Sequence, residues 1–437
     1  MVSEQDPSNS YIAVIGLGYV GLPLAASLAA HHRVIGVDTN PAVRAAVDKG
    51  TAPFREPGLD SLLQSLPPGA LTIADALPEA PPDAVVICVG TPVHALSAEP
   101  DMTQLKSAVE HVAQHMADTT LVVVRSTVSV GTCRGTVLPI LRTAVASPLL
   151  AFCPERIIQG RALHELTSLP QIVGGLDQRS TERAGRLLAC VAPDRVTVSS
   201  IEAAEMIKLI CNAHTDLIYG FGNEVALLAD RLGLDAHELI ESANLRYPRP
   251  DLSRPGFVGG SCLTKDPYLL LHAARRSGHH LPMVAAARAV NESLPGYAVE
   301  RVTQALRAAG HDPGRATVLV GGIAYKGRPA TDDVRGAASG PVAEALRDQV
   351  GVLRGHDFEV APENVDRLGF LPTGLDEGLR GASALILLTD HPGYGGLRAE
   401  RLLSLMSPSP VVFDMWGSLH TELSGADGLT YIGLGHG

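Results

Sequence analysis

The chain has 437 residues, of which 46% are hydrophobic and 19% charged, and its formal net charge is −11. This length allows two or three domains, and the composition supports large packed cores and argues against extensive disorder. The negative charge argues against a general polyanion-binding surface, so no nucleic-acid partner is expected. No run of about 18 apolar residues indicates a transmembrane helix, and residues 1–10 lack the pattern of a secretory signal. We therefore expect a soluble cytoplasmic protein without a membrane partner.

Six cysteines are spread along the chain, at positions 88, 133, 153, 190, 211 and 262. None forms a Cys-x-x-Cys pair, and no group of histidines has the spacing of a zinc site, so the sequence predicts no bound metal. Most of the six are expected to be buried thiols. The question for function is whether one of them is chemically activated.

The first predicted elements form a β-α-β unit. Residues 11–16 read as a short apolar strand, residues 22–30 have helical spacing, and residues 33–38 read as a second strand. Further apolar strands are predicted at 84–89, 120–124, 149–152 and 172–175. Because strands alternate with helical stretches, the sequence predicts a parallel sheet covered by helices on both faces.

A long helical segment separates two α/β regions. Residues 201–232 contain no proline and only two glycines, which predicts one long helix or two consecutive helices. Such a helix either carries a dimer interface or packs within the chain. The α/β pattern then returns, with strands predicted at 316–322, 350–353, 384–388 and 410–413. The predicted fold is α/β, with two Rossmann-like doubly wound parallel-sheet domains joined by a long central helix, and the predicted domains are 1–199, 200–300 and 301–437.

Glycines between the first strand and the first helix predict a dinucleotide site. In Gly16-Leu-Gly-Tyr-Val-Gly21, the first glycine allows the turn, Gly18 lets the backbone approach a pyrophosphate, and the last lets the helix pack on the strand. The helix N-terminus would bind the phosphates. Asp38 ends the second strand, where it can accept hydrogen bonds from ribose hydroxyls and would repel a 2′-phosphate, which favours NAD over NADP. A structural turn with a solvated Asp38 is the alternative.

Two later strand ends should face the same cofactor, because ligands bind at the carboxyl ends of parallel strands. These are Gly90-Thr91-Pro92 and Ser126-Thr127-Val128. Hydroxyl residues are also common caps, so a purely structural role is the alternative for each group.

A glycine-rich segment carries the last of the six cysteines. It reads Gly256-Phe-Val-Gly-Gly-Ser-Cys262-Leu-Thr-Lys265-Asp266. Its glycines would let the backbone come close to a ligand. Lys265 lies within one turn of the cysteine, and a nearby cation favours the reactive thiolate. The segment therefore predicts a nucleophilic Cys262, with an unreactive thiol in a glycine-rich loop as the alternative.

Two further elements supply charged groups. Lys208 and Asn212 lie four positions apart and therefore project from one helix face. The residues between them are apolar, which predicts a partly buried Lys208 that needs an anionic partner such as a developing alkoxide. Glu155 follows the strand at 149–152, where catalytic carboxylates occur. A solvated lysine and a surface glutamate are the structural alternatives.

Together these motifs resemble the UDP-glucose/GDP-mannose dehydrogenase family over nearly the whole chain. They follow the family's order: Gly16 to Gly21, Gly90-Thr-Pro92, Ser126-Thr-Val128, Pro154-Glu155, Lys208 with Asn212, Gly259 to Cys262, Lys265-Asp266, Lys326, and Thr331 to Arg335. The resemblance implies NAD binding by residues 1–199, a dimerisation region with the cysteine loop at 200–300, and UDP-sugar binding by 301–437. It also implies a homodimer, because Arg246 occupies the position of an arginine that reaches the partner subunit's site.

The resemblance further implies a four-electron oxidation of the sugar's C6 primary alcohol with two NAD. A first hydride transfer gives an aldehyde, while Lys208, Asn212 and a water held by Asp266 stabilise the oxyanion and manage the proton. Cys262 adds to the aldehyde, and a second hydride transfer converts the thiohemiacetal into a thioester.

Hydrolysis of that thioester would release the uronic acid, with water that Thr127 positions and that Glu155 or Asp266 activates. By the same resemblance, the cofactor contacts are Gly16, Gly18, Tyr19, Val20, Gly21, Asp38, Gly90, Thr91, Pro92, Ser126, Thr127, Glu155, Lys265 and Arg335. The implied substrate contacts are Glu155, Arg156, Ile157, Lys208, Asn212, Arg246, Phe257, Gly259 and Lys326.

The motifs give opposing indications about the sugar. Residues 154–160 and the following His164-Glu-Leu166 are similar to members that act on UDP-N-acetylhexosamines, whereas Arg246 and residues 259–266 look glucose-like. The basic residue usual five positions after the ribose aspartate is replaced by Val43, with Arg44 beside it. On balance the sequence slightly favours a UDP-glucose 6-dehydrogenase. A UDP-N-acetylhexosamine (mannosamine or glucosamine) 6-dehydrogenase is the alternative.

Two functions from other classes also fit parts of the pattern. A two-electron 3-hydroxyacid dehydrogenase pairs a dinucleotide domain with a Lys-x-x-x-Asn helix, but it needs neither Cys262 nor the second α/β domain. A non-catalytic sugar-nucleotide binding protein would produce no NADH, whereas the predicted enzyme produces two per sugar.

Overall fold

The computed structural model describes residues 10–94, 97–248 and 251–436. They divide into two compact units. The N-terminal unit contains the described residues up to Cys211 together with Tyr268–His280, and the C-terminal unit contains those of Asn212–Pro267 and from Leu281 onward. Within these ranges, no helix combines the length and the apolarity needed to cross a bilayer.

One twisted sheet organises the N-terminal unit. Its described strands are β1 (Ile12–Ile15), β2 (Val34–Val37), β3 (Leu71–Ala74), β4 (Ala84–Ile87), β5 (Leu121–Val124), β6 (Leu149–Phe152), β7 (Gln171–Gly175) and β8 (Arg195–Thr197). They lie in the order β3-β2-β1-β4-β5-β6-β7-β8. The predicted parallel sheet is confirmed with one exception, because β7 pairs antiparallel with β6. A strand buried on both faces has the same apolar pattern in either direction, so the sequence did not indicate this reversal.

Helices cover both faces of this sheet. They are α1 (Gly21–Ala29), α2 (Pro41–Asp48), α3 (Leu59–Ser65), α4 (Thr103–His115), α5 (Leu138–Leu141), α6 (Ala162–Ser168) and α7 (Gln178–Leu188). Ile12 and Val14 of β1 belong to one buried cluster, and Ala13 and Ile15 belong to another. Successive side chains of a strand point to opposite faces, so the two clusters are the cores above and below the sheet.

A single helix of 32 residues, α8 (Ile201–Leu232), begins in the N-terminal unit and continues into the C-terminal unit. This confirms the prediction of one long helix joining the two α/β regions. Its first turns are anchored by Glu205, which is fully buried and accepts hydrogen bonds from Gly131 N (2.6 Å) and Cys133 N (2.8 Å). These contacts fix the rotation of α8 relative to the loop that follows β5.

The C-terminal unit contains a second, smaller sheet. Its described strands are β9 (Thr317–Gly321), β10 (Val352–His356), β11 (Leu371–Pro372), β12 (Ala384–Leu387), β13 (Val411–Asp414) and β14 (Thr430–Gly433). All neighbours pair in parallel, in the order β11-β10-β9-β12-β13-β14. The remaining helices are α9 (Ala236–Asn244), α10 (Gly260–Leu263), α11 (Asp266–Arg276), α12 (Pro282–Ala308), α13 (Ser339–Leu346), α14 (Pro362–Arg367), α15 (Leu375–Leu379), α16 (Ala399–Leu405) and α17 (His420–Leu423).

Both sheets place a reversal of strand order beside their first strand. In the N-terminal sheet β1 lies between β2 and β4, and in the C-terminal sheet β9 lies between β10 and β12. Ligands of open α/β sheets bind in the crevice outside the carboxyl ends of the strands at such a reversal. Each unit therefore offers one crevice for a nucleotide.

Candidate functional site

The predicted dinucleotide turn lies at the carboxyl end of β1, at the strand-order reversal. Gly16 has a φ of +90°, and a Cβ there would lie 2.9 Å from the backbone oxygen of Cys88. A Cβ on Gly21 would lie 1.8 Å from Gly16 O, whereas nothing lies within 4 Å of a Cβ on Gly18. Gly16 and Gly21 therefore permit the turn, and Gly18 leaves open space beside it. No side chain caps α1, which suits a helix end that binds phosphate.

Asp38 follows β2 and has a fixed orientation. Its Oδ2 accepts a hydrogen bond from Leu17 N (2.8 Å) and its Oδ1 accepts one from Asn40 N (2.8 Å). Arg44 donates to the backbone oxygen of Asp38 (2.7 Å), so this arginine braces the aspartate backbone. A carboxylate oxygen has a further lone pair for a ribose hydroxyl. The turn and Asp38 together fit an NAD molecule.

The hydroxyl residues at the ends of β4 and β5 make protein contacts of their own. The hydroxyl of Thr91 donates to the backbone oxygen of Thr127, and that of Ser126 donates to Val89 O (2.7 Å). These hydrogen bonds tie the two strand-end loops together. Contacts from these residues to the cofactor stay a prediction, and the contacts that the structure shows are those between the two loops.

Glu155 is buried and is held by Arg125, a partner that was not predicted from the sequence. The Arg125 side chain is 0% exposed, and its Nε lies 2.9 Å from Glu155 Oε2, which also accepts from Nη2. The other oxygen, Oε1, accepts from the backbone N–H groups of Arg156 (2.7 Å) and Ile157 (3.0 Å). The glutamate is therefore not a surface residue, and both of its oxygens are hydrogen-bonded. An arginine directly after a run of valines was the available signal, because an isolated charge at a buried strand end needs a partner.

A second missed carboxylate shapes the loop after Glu155. Glu56 is buried, and its two oxygens accept from Gly160 N (2.7 Å) and Ala162 N (2.8 Å). The guanidinium of Arg156 donates to the backbone oxygen of Pro170. Glu56 lies more than a hundred residues before its partners, so no local pattern connects them.

The two polar residues of α8 have different surroundings. Lys208 is 6% exposed, which confirms the predicted burial. One turn later the Asn212 amide donates to Asp266 Oδ2. Asp266 is fully buried, and its Oδ1 lies 3.3 Å from Lys265 Nζ but makes no hydrogen bond with any residue that the structure describes. A buried carboxylate oxygen whose contact is this ion pair alone has hydrogen-bonding capacity left, and an ordered water commonly fills such a place.

Cys262 differs from most of the other cysteines in exposure. All six lie within the described part of the chain, and of these Cys211 and Cys262 are exposed. Burial raises the pKa of Cys88 and of Cys153 to about 12, and it raises the pKa of Cys133 well above its ordinary value. These buried thiols stay protonated and unreactive near neutral pH. The predicted nucleophile is therefore accessible, as its role requires.

The glycines before Cys262 permit close packing against the rest of the C-terminal unit. A Cβ on Gly259 would lie 2.5 Å from Gly336 O, and one on Gly260 (φ +90°) would lie 2.7 Å from the Tyr325 ring. Gly260 N also donates to Gly336 O (3.1 Å). These two glycines were predicted to admit a ligand, and in the structure they admit the close approach of Gly336 and Tyr325.

A buried polar network supports both ends of the cysteine segment. Asp216 of α8 pairs with Arg288 of α12 at 2.8 Å, with both side chains 1% exposed, and Arg288 also donates to Leu263 O (2.7 Å). At the other end, the Asn223 amide group of α8 hydrogen-bonds to both the N–H and the carbonyl of Gly256 (2.8 and 3.0 Å). The network fixes the one-turn helix that carries Cys262. It was missed because its members come from separate helices.

Four further predicted site residues lie in the C-terminal unit. Arg335 lies next to Gly336, and its guanidinium binds Asp333 (2.7 and 2.8 Å). Lys326 Nζ lies 5.3 Å from the centre of the Tyr325 ring. The Phe257 ring is 7% exposed and packs in the core of the C-terminal unit. Arg246 is exposed in the loop after α9, with a φ of +54°.

Comparison with known proteins agrees with this arrangement. Residues 10–191, 202–293 and 319–421 match the NAD binding, central and UDP binding domains of the UDP-glucose/GDP-mannose dehydrogenase family. The chain is 34% identical over 400 residues to UDP-N-acetyl-D-mannosamine dehydrogenase of Pyrococcus horikoshii, covering 90% of this chain and 92% of that protein.

Two solved structures are similar over nearly their full lengths. A structure of UDP-D-ManNAc dehydrogenase from Pyrococcus horikoshii has a TM-score of 0.89 at 31% identity, covering 98% of this chain and 99% of that one. A UDP-glucose dehydrogenase from Pyrobaculum islandicum has a TM-score of 0.85 at 29% identity, covering 98% of each chain. The chain belongs to the UDP-glucose/GDP-mannose dehydrogenase family, and it is an NAD-dependent oxidoreductase of nucleotide sugars.

Proposed function

We propose that this enzyme is a UDP-N-acetylhexosamine 6-dehydrogenase whose preferred substrate is UDP-N-acetyl-D-mannosamine. One sugar nucleotide, two NAD⁺ and one water would give the uronate, two NADH and three protons. Support comes from the Pyrococcus horikoshii relative at 34% identity and from residues 154–166, which resemble acetylhexosamine-type members. The sequence-based preference for UDP-glucose is not supported by these comparisons, so the alternative reading replaces it.

The structural observation that carries the chemistry is one segment that combines the exposed Cys262 with the buried Asp266. NAD, held by the Gly16–Gly21 turn and Asp38, would accept a hydride in each oxidation. Lys208 would stabilise the alkoxide formed when the C6 hydroxyl passes its proton to a water held by Asp266, and Asn212 would hold Asp266 in position.

Cys262 is the proposed nucleophile. Its sulfur would form a bond to the aldehyde carbon, and the carbonyl oxygen would take up a proton to give a thiohemiacetal. After the second oxidation, water would form the new carbon–oxygen bond of the acid as the carbon–sulfur bond breaks, and the sulfur would recover a proton. The covalent link would hold the aldehyde between the two oxidations.

We assign the hydrolytic water to Asp266 rather than to Glu155. Both oxygens of Glu155 already accept hydrogen bonds from protein groups. Asp266 Oδ1 accepts none from the described residues. A base needs a free lone pair within reach of the proton that it removes. Glu155 would instead fix the loop that follows β6.

Replacing Asp266 with asparagine should therefore lower kcat by about 10²-fold or more, because the amide cannot take up a proton from water. The measurement is steady-state NADH production, with circular dichroism as the check on folding. Glu155→Gln is the comparison variant. We expect it to lower thermal stability more than it lowers kcat, because it leaves Arg125 without its anion. A Glu155→Gln variant that is folded but slower than Asp266→Asn would reverse the assignment.

The substrate proposal is tested with a panel of UDP-sugars. UDP-N-acetylmannosamine, UDP-N-acetylglucosamine, UDP-N-acetylgalactosamine and UDP-glucose are each supplied with excess NAD⁺, and NADH is counted per sugar consumed. We expect two NADH per sugar and a kcat/KM for UDP-N-acetylmannosamine at least about tenfold above that for UDP-glucose. A higher kcat/KM for UDP-glucose would overturn the proposed sugar.

We also propose a homodimer formed through α8. Exposed apolar side chains fall within a sector of about 80° of this helix at 100° per residue, and they are Met206, Ile210, Phe221, Leu228 and Leu232. This many exposed apolar side chains on one face of a helix is unusual on a monomer, and the same sector also holds the exposed polar residues His214 and Glu224. A two-fold axis would pair the stripe with its own copy, and the exposed Arg246 is available to reach the partner.

Placing aspartate at both Phe221 and Leu228 should shift the mass in solution from that of two chains to that of one, because the charges would be buried in the dimer. Light scattering coupled to gel filtration measures this mass. Leu371→Glu is the matched control, since Leu371 is equally exposed (56%, against 52% for Phe221) but lies on β11. A dimer that survives the double substitution would contradict this interface.

A further inference from the structure

The solvent-facing sector of α8, called the α8 stripe below, is symmetric about the middle of the helix. Its members lie at equal spacings on either side of Tyr219, from the outermost pair inward: Met206 and Leu232, Ile210 and Leu228, His214 and Glu224, and Leu217 and Phe221. All are exposed except the half-buried Leu217. At 100° per residue, the two members of each pair also lie at equal angles on either side of the centre of the stripe.

This symmetry matches one way of pairing two copies of the helix. A two-fold axis perpendicular to α8 and level with Tyr219 would set the copies antiparallel and bring each member of the stripe opposite its counterpart. Ile210 would then meet the partner's Leu228. The stripe is about 39 Å long at 1.5 Å per residue, so a shallow crossing of about 20° is needed to keep both of its ends in contact.

One pair of the stripe is polar, and its two members have complementary charge. His214 is basic and Glu224 is acidic, and both side chains are exposed. With the helix axes about 9 Å apart, the β-carbon of His214 would lie about 6 Å from that of the partner's Glu224. An imidazole N–H can donate to a carboxylate at this separation in either protonation state of the ring. The antiparallel arrangement would form the contact twice.

Other arrangements of the two helices lose this contact. A parallel pair would place Glu224 beside the partner's Glu224, and like charges across an interface oppose binding. An antiparallel pair that slips by one turn would set one of the two polar side chains against the partner's Ile210 or Leu228, which costs free energy because the polar group is buried without a partner. Charged residues beside an apolar helix seam select orientation in the same way in coiled coils.

We propose that His214 and Glu224 form two reciprocal contacts between subunits and thereby select the antiparallel pairing of α8 with a second copy of this chain. The inference rests on the homodimer proposed above, and it adds the orientation, the register and the residues that decide them. The apolar members of the stripe supply most of the affinity. The polar pair supplies specificity, because only one alignment satisfies it.

Charge reversal tests the pairing, with the dimer Kd measured by sedimentation and folding checked by circular dichroism. His214→Glu and Glu224→Lys should each raise Kd at least about tenfold, because each replaces both attractive contacts by contacts between groups of like charge type. An equimolar mixture of the two variants should dimerise within about threefold of the parent Kd, because both contacts of the mixed dimer then join opposite charges. Native mass spectrometry, with one variant isotopically labelled, identifies this mixed dimer.

The matched control is Glu344→Lys, which makes the same charge change at an exposed position of α13 and should leave Kd unchanged. Disulfide trapping tests the orientation separately, in a background of Cys211→Ser and Cys262→Ser. Ile210→Cys combined with Leu228→Cys should cross-link the dimer, because the two positions meet across the axis. Leu228→Cys alone should not, since its own copy would lie about 27 Å away.

The outcomes separate this pairing from the dimer itself. A dimer whose Kd is unchanged in both charge variants, a mixture that does not recover dimers, or a Leu228→Cys chain that cross-links with its own copy would overturn the pairing and leave the dimer standing. A parent chain that stays monomeric at every concentration would instead refute the proposed homodimer, and the pairing with it.

Discussion

Cys262→Ala should abolish formation of the uronic acid and lower kcat for the complete oxidation by about 10³-fold or more. Without the sulfur the aldehyde has no covalent attachment during the second oxidation. The expected product of a single turnover is therefore at most one NADH per sugar, with aldehyde released to solution. Mass spectrometry of quenched reactions distinguishes aldehyde from acid, and absorbance at the NADH band counts the oxidations.

The chain offers a matched control for this substitution. Cys211 is the other exposed cysteine, and it lies on α8 beside Asn212. Cys211→Ala should leave the two-NADH stoichiometry intact and change kcat little. If Cys262→Ala still delivers two NADH per sugar at the parental rate, the covalent mechanism is wrong and a direct second oxidation must replace it.

Arg288→Met should destabilise the C-terminal unit by about 3–5 kcal/mol. The substitution removes the cation from an ion pair whose side chains are both 1% exposed, and it leaves Asp216 buried without its partner. It also removes the donor to Leu263 O, at the end of the helix that carries Cys262. We therefore expect loss of activity as well as of stability, although Arg288 is only a positioning residue.

The single tryptophan makes this measurement specific. Trp416 lies in the C-terminal unit, and its ring packs closely against Gly256 at the start of the cysteine segment. Urea unfolding followed by tryptophan fluorescence therefore reports on this unit. The control is Arg254→Met, because Arg254 forms an ion pair with Glu241 in which both side chains are more than half exposed. Its expected cost is about 0–1 kcal/mol. Equal costs for the two variants would contradict a stabilising role of the buried pair.

The cost of Arg288→Met should also depend on pH. Burial raises the pKa of Asp216, and the Arg288 guanidinium opposes this shift in the parent protein. Without Arg288 the pKa of the folded state rises further above that of the unfolded state. A carboxyl group whose pKa is higher in the folded state stabilises the fold at pH values below its pKa in the unfolded state. That contribution is lost as the pH rises through its pKa in the folded state. The deficit of the variant should therefore be smaller at pH 5 than at pH 8.

Much of the fold was predictable from the sequence because its signals are local. The Gly16-x-Gly-x-x-Gly21 turn, Asp38 at the next strand end and the proline-free run at 201–232 each lie within one or two elements. Their periodicity and composition depend only on which face is buried. The exposed Cys262 and the buried Lys208 also agree with their local patterns. The sugar could not be settled in this way, since residues near Glu155 and Arg246 gave opposing indications.

Taken alone, the sequence determined the α/β class, the dinucleotide turn, the long helix and the segment that carries Cys262. Only the tertiary structure paired Glu155 with Arg125, supported the cysteine helix with Arg288, turned β7 antiparallel and brought Asp235 to His436. The physical reason is sequence separation. Repeating apolar positions report burial, but they carry no record of which distant polar group satisfies a buried charge or which strand direction a buried pattern adopts.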